Sequence, residues 1–558
     1  MKKITPVLAI LVLLFSTAKV KATHVMGLDM QWKSLGNDTF NITVVVYRRC
    51  TDGAASMSNP GLTITSDSCA NSYLINAGSP YSYTVEDITP TCGTQTKPCP
   101  MSGGTGTSST QIPSGIEKHV WNYKIFFGGS YTNCCWYKIR WQLCCRNSNI
   151  TTGYADGDFY SDSWLNRCVA RGDHGPEFKN PPIEIRSVGQ DVIYNHGVVD
   201  EDGDSISYMM VPPSGGAYTS PYSYNYPLTC LGGNNPNILV NPATGFNLNP
   251  INGDLLFRPM QVQITVLKLM VTEWRKDSLG IYRVIGKTAR DMQFCIAPYS
   301  GNHLPVLLSP FSYDVCAGEQ ICFQINTNDN NATDSVKIYW NNGISGASWT
   351  TNNDSVRLSK GTICWTTNLP DARSLPYSFS AMAIDNHCPL VGKSSHSFFI
   401  NVKPPVKPVI TYKNGYLIST AGTTYQWYFN DSIINGATQQ SIQVTKNGFY
   451  KVKITTAGGC LMESDSFTFT VGIRKTNRRT DIKITPNPFH EQIIINTPNA
   501  GKQLDIKMFD LQGRMVLKQT IDNTALINNI NTIGLAPGVY FLELLDDKDT
   551  VIVKVEKL

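Results

Sequence analysis

The sequence has few charged residues, no long apolar segment beyond its N-terminal residues and a small net charge. Only 16% of its 558 residues are charged, and the formal net charge is +5. So small a net charge gives no electrostatic reason to expect nucleic acid or an anionic membrane as a partner. After residue 22 no apolar run approaches the ~20 residues that a bilayer-spanning helix needs. We therefore expect no membrane span in the mature chain.

Catalytic signatures are also missing. The eight histidines form no H-E-x-x-H arrangement, and no G-x-S-x-G elbow, P-loop or dinucleotide fingerprint occurs. The stretch Gly203-Asp204-Ser205-Ile206 is similar to the nucleophile block of GDSL-type hydrolases, but that class is α/β and the surrounding residues predict strands. We therefore expect that the protein is not an enzyme.

What the sequence does contain favours short strands joined by turns. It has 44 glycines and 31 prolines, with abundant Asn, Thr and Ser, and a hydrophobic fraction of 41% that is ample for packed cores. A chain of this length is expected to divide into several domains. The expected fold class is all-β: tandem Ig-like or cadherin-like β-sandwiches, a disulfide-stapled N-terminal β-domain and a small C-terminal β-sandwich.

The N-terminus has the pattern of a secretory signal peptide, expected over residues 1–22. Lys2 and Lys3 precede a short apolar run at 7–15, and Val20-Lys21-Ala22 offers small residues at the −3 and −1 positions of a cleavage site. The mature chain would then begin at Thr23. An N-terminal membrane anchor is the alternative, but the apolar run is too short for one.

The sixteen cysteines are consistent with export to an oxidising compartment. Nine of them lie between Cys50 and Cys168, so one would pair outside that segment, with Cys230 or Cys295, or stay free. The adjacent pairs Cys134-Cys135 and Cys144-Cys145 lack the C-x2-C spacing of a zinc site. The residues between them, 136–143, alternate apolar and polar as a half-buried strand does. Disulfides are therefore favoured over a metal.

Composition changes divide the mature chain into five parts. We expect a Cys-rich β-domain at 23–175, a cadherin-like sandwich at 183–298 and an Ig-like sandwich at 305–402. An Ig-like or PKD-like sandwich is expected at 406–472, with Trp427 as its buried core tryptophan. A basic linker at 473–480 separates it from a last small sandwich at 481–558. For the third part, Cys316–Cys388 and Cys322–Cys364 fit a sandwich, although four cysteines allow three pairings.

Residues in the last part match a known pattern in type, order and spacing. The matching segments are Thr485-Pro486-Asn487-Pro488-Phe489, Phe509-Asp510, Gly513-Arg514, Leu535-Ala536-Pro537-Gly538-Val539-Tyr540 and Val551-Ile552-Val553-Lys554-Val555-Glu556-Lys557-Leu558. This part resembles the type A C-terminal sorting domain of the type IX secretion system of the Bacteroidota. The resemblance implies export through the periplasm to the outer-membrane surface or beyond, with the secretion machinery as a partner. The alternative is one more Ig-like domain without a sorting role.

The N-terminal half resembles a second, less well-characterised group. The segments that carry the resemblance are Thr23-His24-Val25-Met26-Gly27, Val46-Tyr47-Arg48-Arg49-Cys50, Cys144-Cys145-Arg146-Asn147, Phe178-Lys179-Asn180-Pro181, Tyr194-Asn195-His196 and Asp202-Gly203-Asp204-Ser205. These are similar to gliding-motility-associated and PKD-domain surface proteins of the same bacteria. The family often has Gly-Gly where Gly27-Leu28 stands and Asp where Arg49 stands.

The best candidate for a metal site is the run Asp200, Asp202 and Asp204. Alternate carboxylates on an extended loop could supply oxygen ligands to Ca²⁺. The run is not an EF-hand, because Val211 stands where the bidentate Glu would be. A polar turn around Gly203 is the alternative.

Two functions remain open at this stage. The first is a secreted or cell-surface non-catalytic protein with an adhesive, structural or gliding-associated role, whose partners would be surface glycans or other surface proteins. The second is a secreted carbohydrate-binding or degradative protein with accessory β-domains. Four tyrosines in a Pro/Ser/Tyr-rich loop could bind glycans, although their alternation is also typical of an edge strand: Tyr218, Tyr222, Tyr224 and Tyr226.

Overall fold

The computed structural model describes residues 24–50, 57, 59, 61–66, 73–93, 95, 97–99, 115–128, 134–155, 157–299, 301–470, 483–496, 503–522, 527–545 and 550–558. The expected signal peptide and the basic linker at 473–480 lie outside these residues. In the described residues, forty strands and one 3₁₀ turn, Leu369–Asp371, are the regular elements, which confirms the all-β prediction. No helix of the described residues is long and apolar enough to cross a membrane.

The chain separates into two compact units. The first comprises Met1–Val406 with Thr456–Leu461, in so far as these residues are described, and the second comprises Lys407–Thr455 with Met462–Leu558. Seventeen strands of the first unit precede residue 298. They are β1 (Val25–Gly36), β2 (Thr39–Arg49), β3 (Leu62–Ser66), β4 (Tyr73–Asn76), β5 (Ser82–Asp87), β6 (Ile116–Phe126), β7 (Trp136–Leu143), β8 (Phe159–Asn166), β9 (Glu177–Phe178), β10 (Ile183–Ser187), β11 (Val192–Tyr194), β12 (Val198–Val199), β13 (Ser205–Val211), β14 (Asn247–Leu248), β15 (Leu255–Phe257), β16 (Gln263–Lys276) and β17 (Tyr282–Ala297).

The first two strands form an N-terminal hairpin. β1 and β2 pair antiparallel, and the turn between them is left-handed at Gly36, Asn37 and Asp38. Glycine, asparagine and aspartate are the residues that adopt this conformation at least cost. β7 has the predicted bounds, and its alternate residues Tyr137 and Ile139 are buried in the core of the sheet.

The expected domain boundary between residues 175 and 183 does not separate two sheets. Twelve strands form one sheet with the order β4-β3-β7-β8-β17-β1-β2-β6-β5, to which β10, β16 and β13 are added through β17. The long strand β17 pairs with β1 and β8 from the first expected domain and with β10 and β16 from the second. Most of its central residues are buried. A strand in the interior of a sheet needs hydrogen-bonding neighbours along both edges, and strands from both expected domains provide them. We call residues 24–299 the first body.

The third module (residues 305–402) is a sandwich of two four-stranded sheets, β18-β20-β23-β22 and β19-β25-β24-β21. Its two faces share one core that includes Ile338, Phe379 and Phe398. The strands are β18 (Val306–Leu307), β19 (Ser312–Cys316), β20 (Gln320–Asn328), β21 (Lys337–Trp340), β22 (Ser348–Thr351), β23 (Lys360–Thr366), β24 (Tyr377–Ile384) and β25 (Lys393–Lys403).

The next sandwich encloses the predicted core tryptophan. Trp427 is fully buried, and its indole N–H donates to the Gln439 carbonyl over 2.9 Å. Sheets of three and five strands surround it. The strands are β26 (Ile410–Lys413), β27 (Tyr416–Ser419), β28 (Thr424–Phe429), β29 (Ser432–Ile433), β30 (Ser441–Gln443), β31 (Gly448–Thr455), β32 (Leu461–Glu463) and β33 (Phe467–Phe469).

The C-terminal sandwich has seven strands in sheets of three and four, β34-β35-β38 and β37-β36-β39-β40. Its core includes Phe489, Ile506 and Leu542, all fully buried. The strands are β34 (Lys483–Thr485), β35 (Gln492–Asn496), β36 (Gln503–Phe509), β37 (Met515–Asp522), β38 (Ile527–Asn531), β39 (Gly538–Leu545) and β40 (Thr550–Lys557).

The disulfides differ from the expected pairing. Cys322 is bonded to Cys364, as considered from the sequence, but Cys316 is bonded to Cys460 and Cys388 to Cys92. The pairing Cys316–Cys388 is therefore wrong. Spacing along the chain carries no information about bridges that join loops hundreds of residues apart.

The odd cysteine of the N-terminal segment thus pairs with Cys388, and not with Cys230 or Cys295, both of which are free thiols. The adjacent Cys144 and Cys145 are bonded to each other. Two further bridges within that segment are Cys50–Cys99 and Cys135–Cys168.

Candidate functional site

The C-terminal sandwich brings the two ends of the predicted sorting motif together. The side-chain amide of Asn487 donates to the Lys554 carbonyl over 3.1 Å and accepts the Glu556 N–H over 2.9 Å. The Phe489 N–H donates to the Glu556 carbonyl, and the Leu558 N–H donates to the Phe489 carbonyl, over 2.8 and 2.9 Å. The first and last segments of the domain are therefore direct neighbours, and each satisfies backbone groups of the other.

Two other motif residues are buried polar anchors. Tyr540 is 6% exposed, and its hydroxyl donates to the Ala536 carbonyl over 2.6 Å. Lys557 is 9% exposed, and its ammonium donates to the Thr532 carbonyl over 2.5 Å. A buried polar group is tolerated only when it has such a partner. These two side chains therefore fix the loop before β39 and the end of β40.

The two motif glycines lie at the ends of strands. Gly513 has a φ of +77° in the turn between β36 and β37, where its N–H donates to the Asp510 carbonyl. Gly538 begins β39 and pairs with Lys557 of β40. The Asp510 carboxylate accepts the Arg514 N–H and so closes the same turn. The left-handed conformation explains why glycine stands at position 513.

The exposed motif residues lie on the surface of this sandwich. They are Pro486, Asn487, Pro488, Gly513 and Lys554. Phe489, Tyr540 and Lys557 are by contrast buried. The motif thus combines residues that stabilise the domain with residues that remain accessible to a partner.

Two of the three predicted calcium residues, Asp202 and Asp204, contact an arginine. Arg275 donates to the Asp204 carboxylate through Nε (2.8 Å) and Nη2 (2.5 Å). Its Nη2 also donates to Asp202 Oδ2 over 3.2 Å and to Asp173 Oδ1 over 2.7 Å. A guanidinium that contacts three carboxylates neutralises part of the charge that a metal ion would otherwise balance.

Asp200 faces a different group. Its Oδ1 accepts the Asp204 N–H over 2.8 Å, and its carboxyl lies beside that of Glu273. The Glu273 side chain is fully buried, and among the described residues no basic side chain forms a salt bridge with it. Burial raises the pKa of Glu273 well above its usual range, and the neighbouring carboxyl of Asp200 adds to the rise. The pair can therefore share a proton.

The structure does not gather the three predicted residues around one point. Asp200 groups with Asp204 and Glu273, whereas Asp202 groups with Asp204 and Asp173. Calcium binding by Asp200, Asp202 and Asp204 stays a prediction. The sequence analysis missed Asp173, Glu273 and Arg275. The available signal was a carboxylate inside the apolar strand β16.

Asp173 makes the stability of this cluster depend on pH. Burial raises its pKa to about 7, although Arg275 and the Trp32 indole N–H act against the rise. An unfolded aspartate titrates near 3.9, so the folded chain binds this proton more tightly. Its contribution to the free energy of unfolding therefore decreases as the pH rises from about 4 to about 7.

The variant Asp173→Asn is expected to make that decrease shallower. Urea unfolding of the purified protein between pH 4 and pH 7.5, followed by tryptophan fluorescence, measures it. Asp314→Asn, at a position whose carboxylate is 60% exposed, is the matched control and should keep the natural pH dependence. An unchanged slope in Asp173→Asn would contradict the assignment.

Three of the four tyrosines that could bind glycans make contacts within the protein instead. Tyr226 is buried in the core of the first body and stacks with Tyr222, and the Tyr218 hydroxyl donates to the Val266 carbonyl. Tyr224 remains 38% exposed. These residues therefore pack the loop onto the sheet and do not form an aromatic surface.

Tandem immunoglobulin domains are among the solved structures similar to this chain. The N-terminal four Ig domains of Dscam1 isoform 7.44 are 12% identical, over 80% of this chain and 100% of that chain, with a TM-score of 0.19. An I-band fragment of titin is 13% identical, over 52% of this chain and 96% of that chain, with a TM-score of 0.17. TM-scores this low do not support a similar arrangement of domains in this chain and in those proteins.

The C-terminal sandwich matches a known family. No curated protein matches the chain. The family described as a secretion system C-terminal sorting domain matches residues 483–557, the residues that form the seven strands above. The match confirms the resemblance seen in Pro486 to Leu558. Residues 483–557 are therefore a C-terminal sorting domain of the type IX secretion system, and the chain is a β-protein exported to the cell surface or secreted.

Proposed function

We propose that the exported chain is a non-catalytic adhesive protein whose first body and third module together bind a partner at the cell surface. The observation that carries the proposal is a cleft of about 600 Å³ formed by the acidic loop of the first body (residues 200–204) and by two loops of the third module. That volume lies within the range typical of ligand sites.

The cleft is supported by a fixed junction between its two walls. Cys92 of the first body is bonded to Cys388 of the third module. Buried hydrogen bonds run from Asn195 to the hydroxyls of Ser395 and Ser397, over 2.7 and 2.8 Å. A preorganised cleft loses less conformational entropy when it binds a partner than a flexible one does.

The side chains of the cleft combine aromatic and charged groups. Trp365 and Tyr377 contribute rings, and the Arg373 guanidinium lies over the Tyr377 ring at 3.5 Å. Asp371 lies in the same wall. A few polar groups beside aromatic rings are typical of sites that hold and orient a ligand. Surface glycans and other surface proteins both offer suitable groups.

A cleft variant tests the proposal. Cells that export the chain with Asp371→Ala and Arg373→Ala are expected to adhere less than cells that export the natural chain, at equal surface amounts. The matched control removes the exposed ion pair Lys337–Asp354 of the same module, as Lys337→Ala with Asp354→Ala, and should keep adhesion. Adhesion is measured as retention of cells on a surface under flow.

A strain without the protein separates the two parts of the claim. If that strain adheres as well as the natural one, the adhesive function is wrong. If it adheres poorly but the cleft variant adheres normally, the chain is adhesive and the cleft is not its binding site.

A further inference from the structure

A second group of carboxylates lies at one end of the third module. Asp329 follows β20, Asp334 precedes β21 and Asp385 follows β24. One oxygen of each lies within 4.8 Å of the others, and the three residues are only 4–6% exposed. Two loops, the one between β20 and β21 and the one after β24, thus place three buried acids at one point.

No lysine or arginine of the described residues forms a salt bridge with these acids as Arg275 does in the acidic loop. Among the described residues, the one salt-bridge partner of these acids is His387, whose Nδ1 lies 2.9 Å from Asp334 Oδ2. The nearby Arg357 donates instead to the backbone carbonyls of Asn331 and Asp334. Burying like charges without a counter-charge is unfavourable, so the group needs protons or a cation.

The pKa values of these acids also reflect a negative charge that is not fully compensated. Burial raises the pKa of Asp329 and of Asp385, and the carboxylate of Asp334 adds to the rise in both. Hydrogen bonds from backbone N–H groups oppose the shift in each case without reversing it.

An amide oxygen at the same place also lacks a partner. Asn302, in the connection between β17 and β18, is 5% exposed, and its Nδ2 donates to Asp385 Oδ2 over 2.9 Å. Its Oδ1 accepts no hydrogen bond, and neither does Asp329 Oδ2. The backbone of Gly392 packs directly against the site, since a Cβ there would overlap Asp385 Oδ2. Buried acceptors without donors are rare in folded proteins and indicate a missing partner.

We propose that these three carboxylates and the Asn302 amide oxygen bind one Ca²⁺ ion. The ligand set consists of oxygen atoms only, which suits a hard cation and not zinc. Calcium takes six to eight oxygens in flexible geometry, so bidentate carboxylates, water and backbone carbonyls complete the shell. His387 is a positioning residue that holds the Asp334 carboxylate.

The site lies at the junction between the first body and the third module. Asn302 belongs to the connection between them, and the loop that carries Asp385 also carries Cys388, which is bonded to Cys92. Bound calcium would therefore hold the connection at Asn302 against the third module and add to the contacts that already fix the junction. This role does not depend on adhesion, so either proposal can fail alone.

Calcium titration of the purified full chain tests the site. After removal of metal with a chelator, added CaCl₂ is expected to bind at this site and, in large excess over its dissociation constant, to raise the unfolding temperature by about 5 °C. Asp329→Asn and Asp385→Asn should each weaken calcium binding by at least about tenfold, because each removes a charged ligand. Isothermal titration and thermal melts measure both effects.

The metal-free form supplies a readout that a purely structural role would not produce. Without calcium, Asp329→Asn should melt higher than the natural chain, since it removes a buried negative charge from an uncompensated group. Asp314→Asn, at an exposed carboxylate of the same module, is the matched control and should keep the calcium response, whereas Asp202→Asn tests the acidic loop as the rival site. If calcium binds equally in Asp329→Asn, Asp385→Asn and the natural chain, or if only Asp202→Asn loses the response, the proposal is wrong.

Discussion

Deleting residues 483–558 is expected to abolish the appearance of the protein at the cell surface and in the medium, and to leave it in the periplasm. The reason is that these residues are the sorting domain, which directs export to the cell surface or medium. Surface proteolysis of intact cells, with immunodetection of the periplasmic fraction, measures the change. Surface display that survives the deletion would contradict this role.

A point variant shows whether the folded domain is what the machinery recognises. Phe489→Ala removes a fully buried ring from the core and should cost about 3–5 kcal/mol. Small domains have total stabilities of about 5–15 kcal/mol, so a large part of the population would lose its fold. Export should then fall strongly. Leu511→Ala, at a side chain that is 66% exposed, is the matched control and should be exported normally.

The variant Arg146→Met is expected to destabilise the first body by about 3–5 kcal/mol. Arg146 and Asp291 form two hydrogen bonds of 2.7 and 2.6 Å, and both side chains are fully buried. Removing the arginine takes away both hydrogen bonds to the buried Asp291 carboxylate, and the poorly compensated charge that remains dominates the cost. Urea unfolding followed by tryptophan fluorescence measures it.

The double variant Arg146→Met with Asp291→Leu separates the buried charge from lost packing. Apolar side chains that replace both members of a buried ion pair are often tolerated, so this variant should recover most of the lost stability. A double variant as unstable as the single one would show that the pair matters through its shape or its other contacts. One such contact is the Arg146 guanidinium over the Phe159 ring at 4.5 Å.

Local patterns predicted the strands and the sorting domain well. The alternation in 136–143, the turn at Gly36-Asn37-Asp38 and the tryptophan of β28 are all properties of a few neighbouring residues, and the structure has each of them. A strand or a turn depends mainly on its own residues, so the sequence is enough to predict it.

Long-range pairing was not predictable in the same way. β1 and β17 are more than 250 residues apart, yet they are neighbours in one sheet, and the expected boundary at 175–183 lies inside that sheet. The buried ion pair Arg290–Asp29 crosses the same boundary, as does Arg146–Asp291. A proline-rich extended segment has the same appearance in sequence whether it links two domains or two strands of one sheet.

The sequence by itself determined that this is an all-β protein with a C-terminal sorting domain, and the structure sharpened that domain into seven strands whose first and last segments meet. Only the tertiary structure decided which acids lie together. It joined Asp202 and Asp204 to Arg275, and it brought Asp385 from the loop after β24 to Asp329 and Asp334 in the loop between β20 and β21. The physical reason is that charge compensation depends on distance in space, and a spacing along the chain does not reveal it.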